Sequence, residues 1–101
     1  MNIGDSKRLS RENAEELAIQ VLGFIGRDPE HLGRFLSLSG IGPAQLREAA
    51  SEPGFLLGVL EFIMADETLL LAFTSNSGIR PTRIAAAHYA LAGSDAGSTH
   101  E

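Results

Sequence analysis

The chain of 101 residues contains no cysteine, which excludes a disulfide framework, a thiolate metal site and a cysteine nucleophile. It also has no long hydrophobic run. Its longest apolar stretches, 55–60 and 62–65, are split by Glu61 and closed by Asp66 and Glu67, well short of the ~20 apolar residues that a bilayer span requires. Positive charge is scarce in the second half, where residues 52–101 hold two Lys/Arg against six Asp/Glu; residues 1–51 hold six against seven, and the formal net charge is −5. An acidic chain repels the phosphate backbone at long range, so nucleic acid would need a local basic patch to bind. The first ten residues, MNIGDSKRLS, have no apolar run behind their charges. A secretory signal is therefore not expected, and the reading is of a cytoplasmic protein with no membrane partner.

Groups suited to chemistry are equally thin. None of His31, His88 and His100 stands three or four residues from another histidine or a second ligand in a recognised metal arrangement, so no metal site and no cofactor are expected. Ser37, Ser39, Ser75 and Ser77 fall at expected helix ends, where hydroxyls satisfy free backbone groups, and no Gly-x-Ser-x-Gly elbow surrounds them. Asp66 and Glu67 are adjacent carboxylates, but helix capping and the helix dipole account for both. The expectation is of a protein that is not an enzyme.

What the chain does have is a repeat. At an offset of 38, VLGFIGRDPEHLGRFLSLSGIGP (21–43) lies over VLEFIMADETLLLAFTSNSGIRP (59–81) without a gap, and 12 of 23 positions are identical. The shared residues are apolar anchors and punctuation: Phe24/Phe62, Phe35/Phe73, Asp28/Asp66, Gly40/Gly78, Pro43/Pro81 among them. This pattern predicts an internally duplicated three-helix unit, with copies at about 10–51 and 53–92. Each copy begins with an apolar helix, after Ser10 or at Pro53, which ends near Asp28 or Asp66. Second helices are predicted at about 29–39 and 67–77, stopped by Gly40 and Gly78 in the left-handed conformation, and third helices start at Pro43 and Pro81. No segment alternates with period two, so no sheet is expected. The fold class is all-α: a compact bundle of five or six short helices over 10–93, with polar tails at 1–9 and 94–101.

Two surfaces stand out as binding candidates. Between copies, Gly26 gives way to Met64, His31 to Leu69 and Gly33 to Leu71. Either the second copy forms the domain centre or Leu57, Met64, Leu69 and Leu71 form an exposed apolar patch for a protein partner or a homodimer. The other candidate is Leu38-Ser-Gly-Ile-Gly-Pro43, which resembles the turn of helix-hairpin-helix nucleic-acid-binding modules, where backbone N–H groups hold a phosphate oxygen. Gly40, Gly42, Arg47, Arg80 and Arg83 would then be the contacts. Leu46 stands where a small alanine is usual in such modules, and Arg80 replaces the second hairpin's second glycine.

The run DPEHLGRFLSLSGIGP (28–43), with Leu46-Arg47, Ala49-Ala50, Glu52-Pro-Gly-Phe-Leu56, Val59-Leu60, Ala65-Asp66-Glu67 and Leu69-Leu-Leu-Ala-Phe73, resembles domain-of-unknown-function family 3572. That family consists of short bacterial proteins, mainly alphaproteobacterial, and the resemblance covers about residues 12–92. It implies a stand-alone bacterial cytoplasmic protein and carries over no activity, cofactor or catalytic residue. The combined expectation is a small protein-interaction or regulatory module without catalysis, with nucleic-acid binding through the hairpins as the alternative.

Overall fold

Most helix starts follow from a residue suited to the position. Ser10 precedes α1 (Arg11–Gly26), and its Oγ accepts the Asn13 N–H at 3.0 Å. Asp28 caps α2 (Pro29–Ser39) by accepting the Glu30 N–H at 2.9 Å. Asp66 does the same for α5 (Glu67–Ser77) through Leu69. Such oxygens satisfy N–H groups that have no partner inside the helix. Proline opens α2, α4 (Pro53–Ala65) and α6 (Pro81–Thr99), where its missing N–H costs nothing. This computed structural model describes residues 9–99, with side chains as far as Gly93. Among them there are six α-helices and one 3-10 turn, and no strand.

Gly40 and Gly78 end α2 and α5 in the left-handed region, at φ 79° and 78°. A Cβ at either site would meet nothing within 4 Å, so only the backbone conformation demands glycine. Gly40→Ala and Gly78→Ala are therefore each expected to destabilise by about 1–2 kcal/mol. In a domain this small, thermal melting should register that as a drop of roughly 4–8 °C per kcal/mol. An unchanged melting temperature at both sites would show that the turns relax into another conformation.

The third helices of the two halves differ. After Gly42 the first half forms only a 3-10 turn (Pro43–Gln45) and the four-residue α3 (Leu46–Ala49). Pro53 lies close behind, and the residue before a proline is driven out of the helical region; Glu52 is accordingly extended, at φ −102° and ψ 127°. No proline follows Pro81, so α6 runs 19 residues and continues through 94–99, past the boundary expected at 93. Residues 100–101 and 1–8 of the expected tails lie outside the described residues. Leu9, also assigned to a tail, packs against the core.

Three helices make the centre: α1, α4 and α6 pack most extensively on one another, with α2 and α5 on the flanks. Small residues at the crossings, Ala14, Ala18 and Ala87, are fully buried and let the helix axes approach. Val21, Ile25, Val59, Leu60, Ile63, Ile84 and Leu91 fill the space between them. No polar side chain is buried among the described residues. Both hairpin isoleucines are half-buried; Ile79 packs onto this core, as its position between two helices suggests, and Ile41 does not.

Candidate functional site

The 38-residue correspondence continues into tertiary contacts. Phe62 of α4 meets Phe35 of α2 edge-on, with centroids 5.2 Å apart at 70°. Their counterparts, Phe24 of α1 and Phe73 of α5, meet at 5.4 Å and the same 70°. Each pair floors a surface groove: one between α2 and α4, of about 450 Å³, the other between α1 and α5, of about 370 Å³. Ser39 and Ser77 occupy matching places in the two.

The remaining positions differ, and the differences decide what each groove can hold. In the α1–α5 groove, Arg27 Nη1 donates to Asn76 Oδ1 at 3.4 Å across the opening, with Gln20 beside them. In the α2–α4 groove the same places carry Ala65, Leu38 and Gly58. Phe55 adds a third ring, its centroid 5.5 Å from that of Phe35. Leu38 stands at the rim 74% exposed, although it is a large aliphatic side chain at the end of a helix. The result is one polar, bridged groove and one open, apolar groove walled by three phenylalanines.

Charge at the open groove comes from both helices. Glu61 lines it and contacts His88 of α6 at 3.1 Å, with most of its carboxylate still in solvent. Arg34 of α2 lies over the Phe62 ring, 5.4 Å from the centroid, and pairs with Asp66 at 2.9 Å. Asp66 thus joins three elements: it closes α4, caps α5 and ties down α2. Its carboxyl is held below the ordinary value of 3.8, first by the backbone N–H of Leu69, then by the Arg34 guanidinium, against a small opposing effect of burial.

A carboxyl whose pKa falls on folding stabilises the fold above its unfolded value and loses that contribution as the pH drops through the folded one. Asp66→Asn leaves an oxygen for Leu69 but removes the titration. The wild type is therefore expected to be the more stable protein at pH 7, with the gap closing below about pH 3.8. Urea denaturation at several pH values checks this; a gap that does not change with pH would assign the effect to something other than this carboxylate.

The four residues proposed as an apolar patch do not share one surface. Leu69 is a core residue, 3% exposed, because α5 turns it with Phe73 towards the centre. Leu57 is half-buried against the core. Met64 and Leu71 are exposed, at 38% and 52%. The second half of the chain is central through α4 and α6, while α5 lies on the flank and buries only a narrow stripe, which is why its outer leucine stays in solvent.

At the hairpins, Arg47, Arg80 and Arg83 are all exposed. Arg83 shares a cleft with Glu16, and Arg47 lines a separate one with Leu22 and Leu46. The glycine N–H groups are engaged within the chain: Gly40 donates to the Leu36 carbonyl and Gly42 to Gln45 Oε1, both at 2.9 Å. In the second hairpin Gly78 donates to Thr74 and Ile79 to Ser77 Oγ. No group of three or more His, Asp or Glu side chains suited to a metal ion occurs among the described residues, and no helix there is long and apolar enough to cross a membrane.

Fold and site together define a small all-α bundle with an apolar interhelical groove on its surface. The chain belongs to the family described as "Protein of unknown function (DUF3572)", which matches residues 11–94. No curated protein and no solved structure matches it.

Proposed function

We propose that the protein is a non-catalytic interaction module of the bacterial cytoplasm whose α2–α4 groove docks a helical segment of a partner protein. The observation that carries this reading is the exposed Leu38 beside the open groove of Phe35, Phe55 and Phe62. Phe55, Gly58, Phe62 and Ala65 recur along one face of α4 at spacings of three and four, so the groove offers a helix-like ridge to a second ridge of the same period. Gly58, without a side chain, leaves a notch for close approach. No strand edge occurs among the described residues, which leaves an extended peptide nothing to pair with.

The nucleic-acid reading through Gly40, Gly42, Arg47, Arg80 and Arg83 has less support, since the glycine N–H groups that would hold a phosphate are already bonded within the chain. A photo-crosslinking residue at position 38, introduced in the native cell, tests the two readings together. Adducts to a helical segment of a specific protein are expected, and none of them at Ile19, an equally apolar exposed site. Adducts to nucleic acid, or the same products from both positions, would overturn the assignment.

A further inference from the structure

The two grooves occupy equivalent places in the two halves, yet only one is spanned by a side-chain bridge, and the chemistry of the other's rim restricts what can enter. We infer that the α2–α4 groove takes a basic amphipathic helix, one per molecule, and that the Arg27–Asn76 bridge keeps its counterpart between α1 and α5 closed to the same ligand. This rests on the docking reading above and adds the charge of the partner and the number of sites.

The charge argument starts from sequence and ends in geometry. Between Glu48 and Ile79 the chain has five acidic residues and no lysine or arginine, so α4, the main wall of the groove, has no cation of its own. Glu61 presents a largely solvated carboxylate inside the groove. The one cation from the facing helix, Arg34, is already paired with Asp66 at 2.9 Å. Apolar walls with a carboxylate that touches only His88 and is mostly in solvent favour apolar anchors flanked by lysine or arginine, and disfavour acidic helices by like-charge repulsion.

Stoichiometry follows from four of the positions that differ. Ala65, Leu38, Gly58 and Glu61 in the open groove correspond to Arg27, Asn76, Gln20 and Gly23 in the other. There, a long guanidinium reaching an amide spans the opening, and the carboxylate is missing. Arg27, Asn76, Leu38 and Ala65 are all exposed, so exchanging them between grooves tests recognition with little disturbance of the core.

The probe is a designed amphipathic helix of about 18 residues, long enough to hold helical structure on binding, with Leu and Phe on one face and Lys on the other. A second peptide carries Glu in place of every Lys. Amide chemical shifts of the full-length protein are followed during titration with each. The Lys peptide should shift the amides around Phe55, Phe62 and Ala65 and bind roughly tenfold more tightly than the Glu peptide, an advantage that shrinks as salt screens the charges. Leu38→Asn with Ala65→Arg, which copies the bridge into the open groove, should abolish these shifts at unchanged melting temperature. Arg27→Ala with Asn76→Leu and Gly23→Glu, which removes the bridge and supplies the missing carboxylate where a side chain meets nothing within 4 Å, should open a second site and raise the stoichiometry to two.

Equal affinity for the two peptides would overturn the charge assignment while leaving helix docking in place. A single site after the Arg27→Ala/Asn76→Leu/Gly23→Glu exchange would overturn the role of the bridge. Binding of neither peptide would overturn this inference and the docking reading alike; groove shifts that depend on protein concentration alone would then identify a second copy of the chain as the occupant.

Discussion

Leu60→Ala is expected to lower the unfolding free energy by about 2–5 kcal/mol, the range for removing a large aliphatic side chain from a packed core. Leu60 is fully buried on α4, the helix that packs on both α1 and α6 as well as on the flanking α2 and α5. A void there has rigid neighbours on every side and little means of collapsing. Total stability of single domains is only about 5–15 kcal/mol, so the change removes a large share of it. The expected readout is a lower midpoint in urea at an unchanged slope, since the surface exposed on unfolding hardly alters. A loss below ~1 kcal/mol would mean that α4 shifts to fill the space.

Phe35→Ala should cost about 3–5 kcal/mol, the usual loss for a buried aromatic, and more than Phe73→Ala. The two residues hold equivalent places in the halves and are almost equally buried, at 3% and 2%. Their surroundings differ: Phe35 touches two rings edge-on, those of Phe55 and Phe62, whereas Phe73 touches only that of Phe24. Each such pair is worth about 0.5–1.5 kcal/mol beyond its buried area, which sets the expected difference between the variants. Equal losses would show that area, not ring geometry, controls both sites. Truncating Leu38, which is mostly in solvent, should leave stability nearly unchanged. The wall of the groove and its rim thus separate into one residue that holds the fold and one that is free to serve binding.

Much of the fold was legible in order along the chain. The second helices of both halves, 29–39 and 67–77, lie where Asp28, Pro29, Asp66, Gly40 and Gly78 place them. Caps, proline starts and left-handed glycines act over four or five residues, so they can be read without knowing what lies across the core. The third helices both begin at proline, as the sequence places them, but differ in length. What separates them is the end: Pro53 stops the first within ten residues of Pro43, and no proline interrupts the second as far as Thr99.

The candidate site was much less legible. Leu38, Gly58, Glu61 and Ala65, which give the groove its character, are all positions where the halves differ. The apolar gains at Leu57, Met64, Leu69 and Leu71 are more conspicuous in the sequence, but apolar character alone does not separate a buried leucine from an exposed one. Leu69 proved to be core. The loss of Arg27 to Ala65 and the change from Leu38 to Asn76 looked unrelated in sequence, being 11 residues apart in each half. They become partners only because α2 of the first half packs on α4 of the second, while α5 of the second packs on α1 of the first.

The sequence by itself determined the helices, their caps, the two left-handed turns, the apolar core composition and the acidic balance, because each depends on neighbours within a few residues or on composition alone. Tertiary structure alone decided which leucines face solvent, which hairpin N–H groups are already bonded, and that two equivalent grooves exist with one bridged and one open. Those properties depend on which helix lies against which, and that pairing joins residues of the first half to residues of the second.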